Sequence, residues 1–310
     1  MRVRVSSSDG IADKQALLGY TLIGILLLSA FGFGALLLDA KMNIRLTGWG
    51  APAFSSVFLL AVSLCLWFRA PRSLNERIVR DGAEYFGLLI FVTVIGAAST
   101  YPLSAFTGSY RDALFVRLDH DLWFNWVDWY RLWLGHPWLL ECSRIAYFSI
   151  YASPAIIVSH FAVTQQKMTA RVFIATFWLA VVTTLLLFIF MPGAGPLAYL
   201  WHGPIPYMPT AALFQSQLIP LIQNHSYHTI DLGALRGLVC APSFHTTCAV
   251  LYIIAARKTG WLRWPLTLTN AAMLLSIPIE GTHYLIDMVG GAVVALAATW
   301  LVNILVSAKD

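Results

Sequence analysis

Two residues near the C-terminal end of the chain have the types and the spacing of a catalytic pair. In the segment GTHYLIDMVGG, His283 precedes Asp287 by one helical turn, so both side chains lie on one face of a helix. A carboxylate that accepts one ring N–H of a histidine fixes the tautomer and raises the basicity of the other ring nitrogen. We therefore predict that His283 acts as a nucleophile or base and that Asp287 orients it.

A second histidine, in the segment APSFHTTCAV, is predicted to meet the first. His245 lies 38 residues before His283, and the residues between them have the length of two helices joined by the basic turn RKTGWLRW. At a rise of about 1.5 Å per residue, such a helical hairpin returns the chain to the level at which it started. His245 and His283 are therefore expected to belong to one site.

The residues around His245 favour the binding of an anion. Pro242 and Ser243 are typical of a helix start, with Ser243 near the N-cap and His245 in the first turn. The free N–H groups and the positive dipole end of such a helix favour a phosphate at this place. One histidine can then attack phosphorus while the other protonates the leaving oxygen, which divides a difficult displacement into two easier steps.

The elements that must position these residues are predicted to span a membrane. Of the 310 residues 58% are hydrophobic and 11% are charged, and the mean hydropathy is +0.70, far outside the range of soluble domains. Backbone groups in hydrocarbon must be bonded within their own segment, and the apolar runs lack strand alternation, so we predict an all-α, multi-pass transmembrane helix bundle. About eight spanning helices are predicted, at residues 16–38, 51–68, 83–103, 144–163, 171–191, 243–257, 264–280 and 284–306.

These spans are predicted to form a six-helix core with two further helices at the N-terminal end. We expect residues 1–82 to be a peripheral transmembrane hairpin and residues 83–310 to be the catalytic domain. The first run is expected to stay as a spanning helix, because it is too long for a cleaved signal peptide and its flanks lack a small-residue cleavage pattern.

Residues 111–137 are predicted to form one helix that lies in the headgroup layer of the membrane. Anchoring in the interface is the expected role, and a lid or access platform for a lipid is the alternative. The long loop at residues 192–241 is expected to cover a functional region. At helical spacing one face of the interfacial segment carries Trp123, Trp126, Trp129 and Trp133, and the opposite face carries Arg117, Asp121, Asn125, Asp128 and Arg131.

The basic residues predict the orientation in the membrane. Short loops and termini on one side carry 13 of the 20 lysines and arginines, and such residues accumulate on the cytoplasmic side. Both termini are therefore predicted to be cytoplasmic, and the histidine site is predicted to lie at the non-cytoplasmic face. The residues counted are Arg2, Arg4, Lys14, Arg69, Arg72, Arg77, Arg80, Lys167, Arg171, Arg257, Lys258, Arg263 and Lys309.

The cysteines and the loop histidines give weaker signals. No cysteine pair has a CxxC spacing, so buried free thiols are expected at Cys65, Cys142, Cys240 and Cys248. His225 and His228 are interpreted as surface residues, because no cysteine or carboxylate stands at a ligand-like interval from them; a zinc site there is the less favoured alternative.

Together, the segments PSFH and GTHYLIDMVGG resemble the second and third signature motifs of the type 2 phosphatidic acid phosphatase superfamily, whose members act on lipid phosphates in membranes. The resemblance covers roughly residues 110–304. It implies that His283 is the nucleophile that forms a phosphohistidine, that Asp287 orients it and that His245 is the acid that assists the leaving group. It also implies that Ser243 binds a phosphate oxygen.

The chain departs from the motifs of this superfamily at three places. Phe244 stands where the second motif has glycine, and Ile277 stands where the third has arginine. The sequence MPGAGP replaces the basic first motif after the fifth predicted span. The pattern is similar to the branch that includes inositol phosphorylceramide synthases, in which both histidine motifs persist without the first motif.

The departures remove cations that a phosphate needs, because phosphoryl transfer depends on stabilising charge on the phosphate oxygens. Arg236, in the loop before Ser243, is the first candidate to replace them, and Arg144, at the outer end of the fourth span, is the second. For both, an arginine that merely extends its head to the interface is the alternative. Glu280 is a further candidate base or holder of an acceptor hydroxyl, or else a solvated carboxylate.

The residues and the resemblance together predict an integral membrane lipid phosphotransferase. A phospholipid donor at the outer leaflet would give up a phosphoryl group or phospho-headgroup to a lipid or alcohol acceptor, and hydrolysis of a lipid phosphate by water is the first alternative. A proton-coupled transporter is less favoured because the polar groups cluster at one face. A metal site of His245, His283 and Asp287 is less favoured because the helix-end serine suits phosphate. We expect no cofactor, no metal and no nucleic-acid partner.

Overall fold

The computed structural model of the chain is an all-α bundle of membrane-spanning type, as the sequence predicted. It describes residues 7–48 and 50–307, and the side chains of residues 17–48 and 55–307. Two short parallel strands, β1 (Asn43–Arg45) and β2 (Thr229–Asp231), pair with Ile44 opposite Ile230. The helices are α1 (Ser7–Asp39), α2 (Gly50–Trp67), α3 (Leu74–Ser104), α4 (Asp112–Asp121), α5 (Trp126–Leu134), α6 (Pro137–Val163), α7 (Lys167–Phe188), α8 (Pro196–Leu200), α9 (Phe214–Gln223), α10 (Phe244–Ala256), α11 (Arg263–Glu280) and α12 (Leu285–Ser307).

Five helices of the described part of the chain are long and apolar enough to cross a membrane. They are α1 from Leu17 onward, α3, α6, α7 and α12. The three other predicted spans correspond to α2 and α10, which are shorter apolar helices in their described parts, and to α11. Each predicted span therefore coincides with a helix, although only five meet the length and hydropathy of a spanning segment by themselves.

The apolar core lies where α3, α6, α7, α10, α11 and α12 pack together. α10 is central, because it contacts α6, α7, α11 and α12. Its Ala249 and Tyr252 are buried with Ile157 of α6, Phe177 of α7 and Met273 of α11. α1 packs on α3 and α7, and α2 packs on α3. The division expected between residues 82 and 83 falls inside α3.

Several basic residues that the sequence assigned to loops lie in helices instead. Arg77 and Arg80 are in the first turns of α3, and Lys167 and Arg171 are in α7. α3 begins before its apolar run, where the Ser73 side chain caps it by accepting the N–H of Glu76. Ion pairs join α3 and α7 near these helix starts: Lys167 Nζ lies 3.5 Å from Asp81 Oδ1 and Arg171 Nη2 lies 2.6 Å from Glu84 Oε1. Of the other counted residues, Arg2, Arg4, Lys309 and the Lys14 side chain lie outside the described part.

The prediction of one interfacial helix with four tryptophans on one face was wrong. The segment forms two helices, α4 and α5, because the Asn125 side chain caps a new helix by accepting the N–H groups of Val127 and Asp128. Trp123 lies in the break with a φ of 59° and is 98% exposed, whereas Trp126 and Trp133 are buried. The Trp126 indole N–H donates to the carbonyl of Pro278 at 2.7 Å, which ties α5 to α11.

The N-terminal turns of α10 and α12 meet at unusually short range. A Cβ atom at Gly291 would lie 2.3 Å from the carbonyl oxygen of Ser243, so a glycine is needed there. The Thr247 hydroxyl donates to the Gly291 carbonyl at 2.9 Å, and the Ser243 N–H donates to the Asp287 carbonyl at 2.9 Å. This junction holds the PSFH segment against the HYLID segment.

We expect the substitution Gly291→Ala to lower the free energy of unfolding by about 1–3 kcal/mol, because the added methyl group overlaps a backbone oxygen that cannot move away cheaply. The measurement is a denaturant titration of the protein in detergent micelles. Gly32→Ala in α1 is the matched control, since a Cβ atom there meets nothing within 4 Å. Equal destabilisation by both substitutions would contradict the close junction.

Candidate active site

The His283 and Asp287 side chains meet at the start of α12. His283 Nδ1 lies 3.5 Å from Asp287 Oδ2, and both residues are buried. The same carboxylate oxygen accepts the backbone N–H of Tyr284 at 3.1 Å and the thiol of Cys240 at 3.5 Å. These donors offset part of the cost of burying a carboxylate at this depth. The ring and the carboxylate are therefore adjacent at ion-pair distance, while Nδ1 of His283 has no hydrogen-bond partner among the described residues.

The turn between α11 and α12 presents the His283 ring. α11 ends at Glu280, and a Cβ atom on the next residue, Gly281, would lie 2.7 Å from His283 Cδ2. Thr282 then takes a left-handed conformation with a φ of 50°, which is uncommon for a residue other than glycine. Backbone strain of this kind persists where surrounding structure enforces it, and it often marks a functional site.

The helical hairpin of α10 and α11 brings His245 next to His283. The centroids of the two imidazole rings are 6.3 Å apart. His245 is half-buried and stacks on Tyr147 of α6, with ring centroids 4.3 Å apart, and the Tyr147 hydroxyl lies 3.3 Å from His245 Nδ1. His245 Nε2 forms no hydrogen bond to any described residue, so this nitrogen is free to meet a substrate.

Ser243 occupies the N-cap of α10, as the sequence predicted, but its hydroxyl oxygen already has partners. It accepts the Thr246 N–H at 3.3 Å and the Thr246 hydroxyl at 3.2 Å. The backbone N–H groups of Phe244 and His245 form no hydrogen bond among the described residues. These two N–H groups, at the positive end of a 13-residue helix, are the best placed donors for an anion. The phosphate-binding role of Ser243 itself stays a prediction.

Neither candidate arginine forms a hydrogen bond or ion pair with the histidines or Asp287 in the part of the chain that the structure describes. Arg236 is exposed, and its guanidinium lies over the Phe214 ring at 5.0 Å from the centroid. Arg144 Nη2 donates to the Tyr207 hydroxyl at 3.2 Å, and Nη1 lies 3.6 Å from Glu141 Oε1.

Glu280 is not the solvated carboxylate that the sequence left as an alternative. It is fully buried. Oε1 accepts the hydroxyls of Ser143 at 2.8 Å and Tyr207 at 2.6 Å, and Oε2 accepts the N–H and the hydroxyl of Thr210 at 3.0 and 2.6 Å. Burial, with the bond to Glu280, raises the pKa of Tyr207 to about 12. With both oxygens bonded, Glu280 anchors the loop of residues 201–213 to α11.

Two aspartates of α4 position the turn that carries His283, and neither was predicted from the sequence. Asp119 accepts the N–H groups of Leu285 at 3.0 Å and Ile286 at 2.7 Å, which caps α12. Asp112 accepts the Tyr284 hydroxyl at 2.8 Å. It also accepts the backbone N–H groups of Ala194 and Gly195, in the MPGAGP segment just before α8. The available signal was their spacing of seven residues, which places both on one helix face.

The cysteines and the loop histidines give no sign of a disulfide or of a metal site built on His225 and His228 in the described residues. The described structure leaves all four cysteines free; Cys240 and Cys248 are buried as expected, whereas Cys142 is exposed and Cys65 is half-buried. His225 and His228 are exposed. The metal site considered from His245, His283 and Asp287 is not assembled, because the three ligand atoms within 4.8 Å of one another come from Cys240, His283 and Asp287.

Comparison with known protein families assigns the chain to a superfamily. Residues 113–301, more than half of the chain, match the PAP2 superfamily. The chain belongs to this superfamily, whose members are generally phosphatases or phosphotransferases, so it is a membrane enzyme of the lipid phosphatase or phosphotransferase type. A comparison with curated proteins found no match, and neither did a comparison with solved structures. The matched region starts within α4, and α1, α2 and α3 lie outside it.

The Asp119 carboxyl is expected to make stability depend on pH. Burial raises its pKa to about 6, although the N–H groups of Ile286 and Leu285 oppose the shift. A carboxyl whose folded-state pKa is raised stabilises the fold fully below its unfolded value, about 3.9, and this contribution is lost as the pH rises through 6.

We therefore expect the wild-type free energy of unfolding, relative to Asp119→Asn, to fall by up to about 2 kcal/mol between pH 4 and pH 7. Denaturant titrations of both proteins in micelles across this range measure the difference. Asp121→Asn, which removes an exposed carboxylate from the same helix, is the matched control. The same pH dependence in both variants would contradict the assignment.

Proposed function

We propose that this enzyme transfers a phosphoryl group or phospho-headgroup from a membrane lipid to a lipid alcohol through a phosphohistidine on His283, in the manner of inositol phosphorylceramide synthases. The single observation that carries the proposal is the pairing of two histidine rings, with centroids 6.3 Å apart, beside the N-terminus of α10. One ring has a carboxylate partner and the other does not. This asymmetry suits a nucleophile and an acid.

In the first step His283 Nε2 attacks phosphorus and the P–O bond to the leaving group breaks. His245, in its protonated form, gives its proton to the departing oxygen, so the lipid leaves as an alcohol. Asp287 holds Nδ1 of His283 and stabilises the positive charge that the ring acquires. The N–H groups of Phe244 and His245 bind the phosphate oxygens on which negative charge develops.

In the second step an acceptor hydroxyl attacks the phosphohistidine. Neutral His245 takes the proton of that hydroxyl, the P–N bond breaks and His283 is restored. A lipid alcohol as acceptor gives headgroup transfer. The absence of the basic first motif supports this outcome, because the resembling branch that lacks this motif contains synthases.

Arg236 and Arg144 are proposed to complete the phosphate site when lipid binds. Arg236 is exposed and its guanidinium lies over the Phe214 ring, and the residues that follow it, Gly237 and Val239, line the same cavity as His245. Arg144 is linked to the site region through Tyr207. A cation near the transferring group is worth much in a site that excludes water.

The proposed active site faces the non-cytoplasmic side of the membrane, with both termini in the cytoplasm. The excess of basic residues in loops and at helix ends on one side of the predicted spans supports this orientation. The donor is then a phospholipid of the outer leaflet and the acceptor a lipid or alcohol in the same leaflet. No cofactor enters the proposed reaction.

Hydrolysis is the second candidate function. The observation that favours it is the partial exposure of His245, which leaves a route by which water can replace the acceptor alcohol in the second step.

The two histidines are expected to be essential. His283→Ala should lower turnover at least about 1,000-fold because it removes the nucleophile, and His245→Ala should lower it about 100- to 10,000-fold because it removes the acid and base. Release of labelled phosphate or transfer of the labelled headgroup is measured in lipid vesicles. His228→Ala, which removes an exposed histidine, is the matched control. Wild-type turnover by His283→Ala would refute the mechanism.

The acceptor is expected to decide the fate of the phosphohistidine. With ³²P-labelled phosphatidylinositol or phosphatidic acid as donor, we expect acid-labile label on His283 that is discharged when ceramide or diacylglycerol is added. Labelled lipid product then identifies a transferase. Full release of label to water at the same rate without an alcohol would overturn the transfer proposal in favour of hydrolysis.

A further inference from the structure

We propose that a cavity enclosed by α3, α6, α7 and α10 binds one hydrocarbon chain of the lipid substrate, and that α3 sets which chains fit. This inference rests on the proposed function, since it concerns the lipid whose phosphate meets the histidines. The cavity has a volume of about 410 Å³, within the range of roughly 300–1,000 Å³ found for ligand pockets.

The residues that line the cavity suit a hydrocarbon chain along most of the wall and a polar headgroup at one end. His245 lies in its wall, and next to it are Phe244 and Cys248 of the same helix. The rest of the wall is mainly aliphatic and aromatic, with residues such as Leu89, Ile150 and Phe177, and none of the lining residues is Asp, Glu, Lys or Arg. A chain in this cavity therefore places the group attached to it beside the catalytic histidine.

The cavity is open toward the surrounding membrane. Thr93 of α3 and Tyr151 of α6 both line it and are both exposed. The gap between these two helices therefore leads from the bilayer into the cavity. A chain can slide in from the hydrocarbon layer without passing through water, which keeps its apolar surface buried throughout.

Small residues of α3 shape this side of the cavity. A Cβ atom at Gly96 would lie 2.8 Å from Val181 Cγ1, so Gly96 lets α3 approach α7 closely. Ala97, the next residue, lines the cavity and is half-buried. α3 lies outside the region that matches the superfamily, so this wall is a feature of this chain and not of the matched catalytic segment.

A second apolar cavity gives a comparison within the same molecule. It has a volume of about 330 Å³, lies between α1, α7 and α12, and contains no histidine in its wall. Ala175 lines it as Ala97 lines the first cavity. Lipid that fills the second cavity has no contact with the catalytic groups, so its filling should not affect the reaction.

The test narrows each cavity and compares substrates that differ only in chain length. We expect Ala97→Leu to lower kcat/KM for dioleoyl phosphatidic acid at least about tenfold and for dihexanoyl phosphatidic acid less than twofold. Ala155→Leu, in the α6 wall of the same cavity, should act in the same direction, which guards against a folding defect of one variant. Ala175→Leu should change neither substrate. Equal losses for long and short chains, or no loss in either cavity variant, would overturn the proposal.

A binding experiment separates this inference from the proposed reaction. His283→Ala protein, which is expected not to turn over, is exposed in vesicles to phosphatidic acid carrying a photoactivatable group on the acyl chain, and in parallel to a photoactivatable isoprenyl phosphate. We expect peptides of α3, α6 or α10 to be labelled by one probe, and Ala97→Leu to reduce that labelling at least about fivefold. If these helices are labelled but the wild-type protein does not turn over the lipid, the proposed reaction is refuted and the chain site is still supported. Absence of labelling of these helices by both probes would refute the chain site.

The two probes also identify the class of chain. Labelling by the acyl probe alone supports a glycerolipid or sphingolipid substrate, and labelling by the isoprenyl probe alone supports a polyprenyl phosphate. Both outcomes support a hydrocarbon-chain site in this cavity.

Discussion

The short-range contact between the first turns of α10 and α12 is the constraint on which the candidate site depends. The main chain of Asp287 accepts the N–H of Ser243 while its side chain faces His283. Gly291 permits this approach because any side chain there would overlap the Ser243 carbonyl. The two histidine segments are therefore fixed to each other through backbone atoms, and the relative placement of His245 and His283 does not rely on mobile side chains.

Buried carboxylates frame the site, and their charges are met by neutral donors. Asp112, Asp119, Glu280 and Asp287 are all almost fully buried, and N–H, O–H and S–H groups donate to them. Such donors orient the carboxylates without adding positive charge to the site. The negative charge of a bound phosphate must therefore be stabilised by the N–H groups at the α10 N-terminus and by cations that do not pair with these carboxylates. The exposed Arg236 is such a cation.

The sequence predicted the parts of the fold that depend on local pattern. Apolar runs located every bundle helix, and the Pro242–Ser243 pair located the start of α10, because capping and burial act over a few neighbouring residues. The predictions from sequence failed mainly where residues that are distant in the chain contact each other. The ion pair between Lys167 of α7 and Asp81 of α3 joins residues far apart in the sequence, both outside the predicted spans. The start of α5 was also missed, although its Asn125 cap is a local feature. Asp112 and Asp119 act on Tyr284, Leu285 and Ile286 far along the chain, so their spacing could place them on one helix face but only tertiary structure shows which residues that face contacts.

The residues proposed to act on phosphorus and those proposed to select the lipid chain lie in different parts of this enzyme. The groups proposed to act on phosphorus all lie within the region that matches the superfamily, from α4 to α12. The α3 wall of the cavity lies before that region, and α3 packs against α6, α7 and α9 of the matched segment. A helix that contacts the chain of a substrate without contacting the phosphate can change which lipid binds and leave the transition state untouched. In the proposed chain site, a change in the size of Ala97 can therefore alter which chains bind while the two histidines keep their positions.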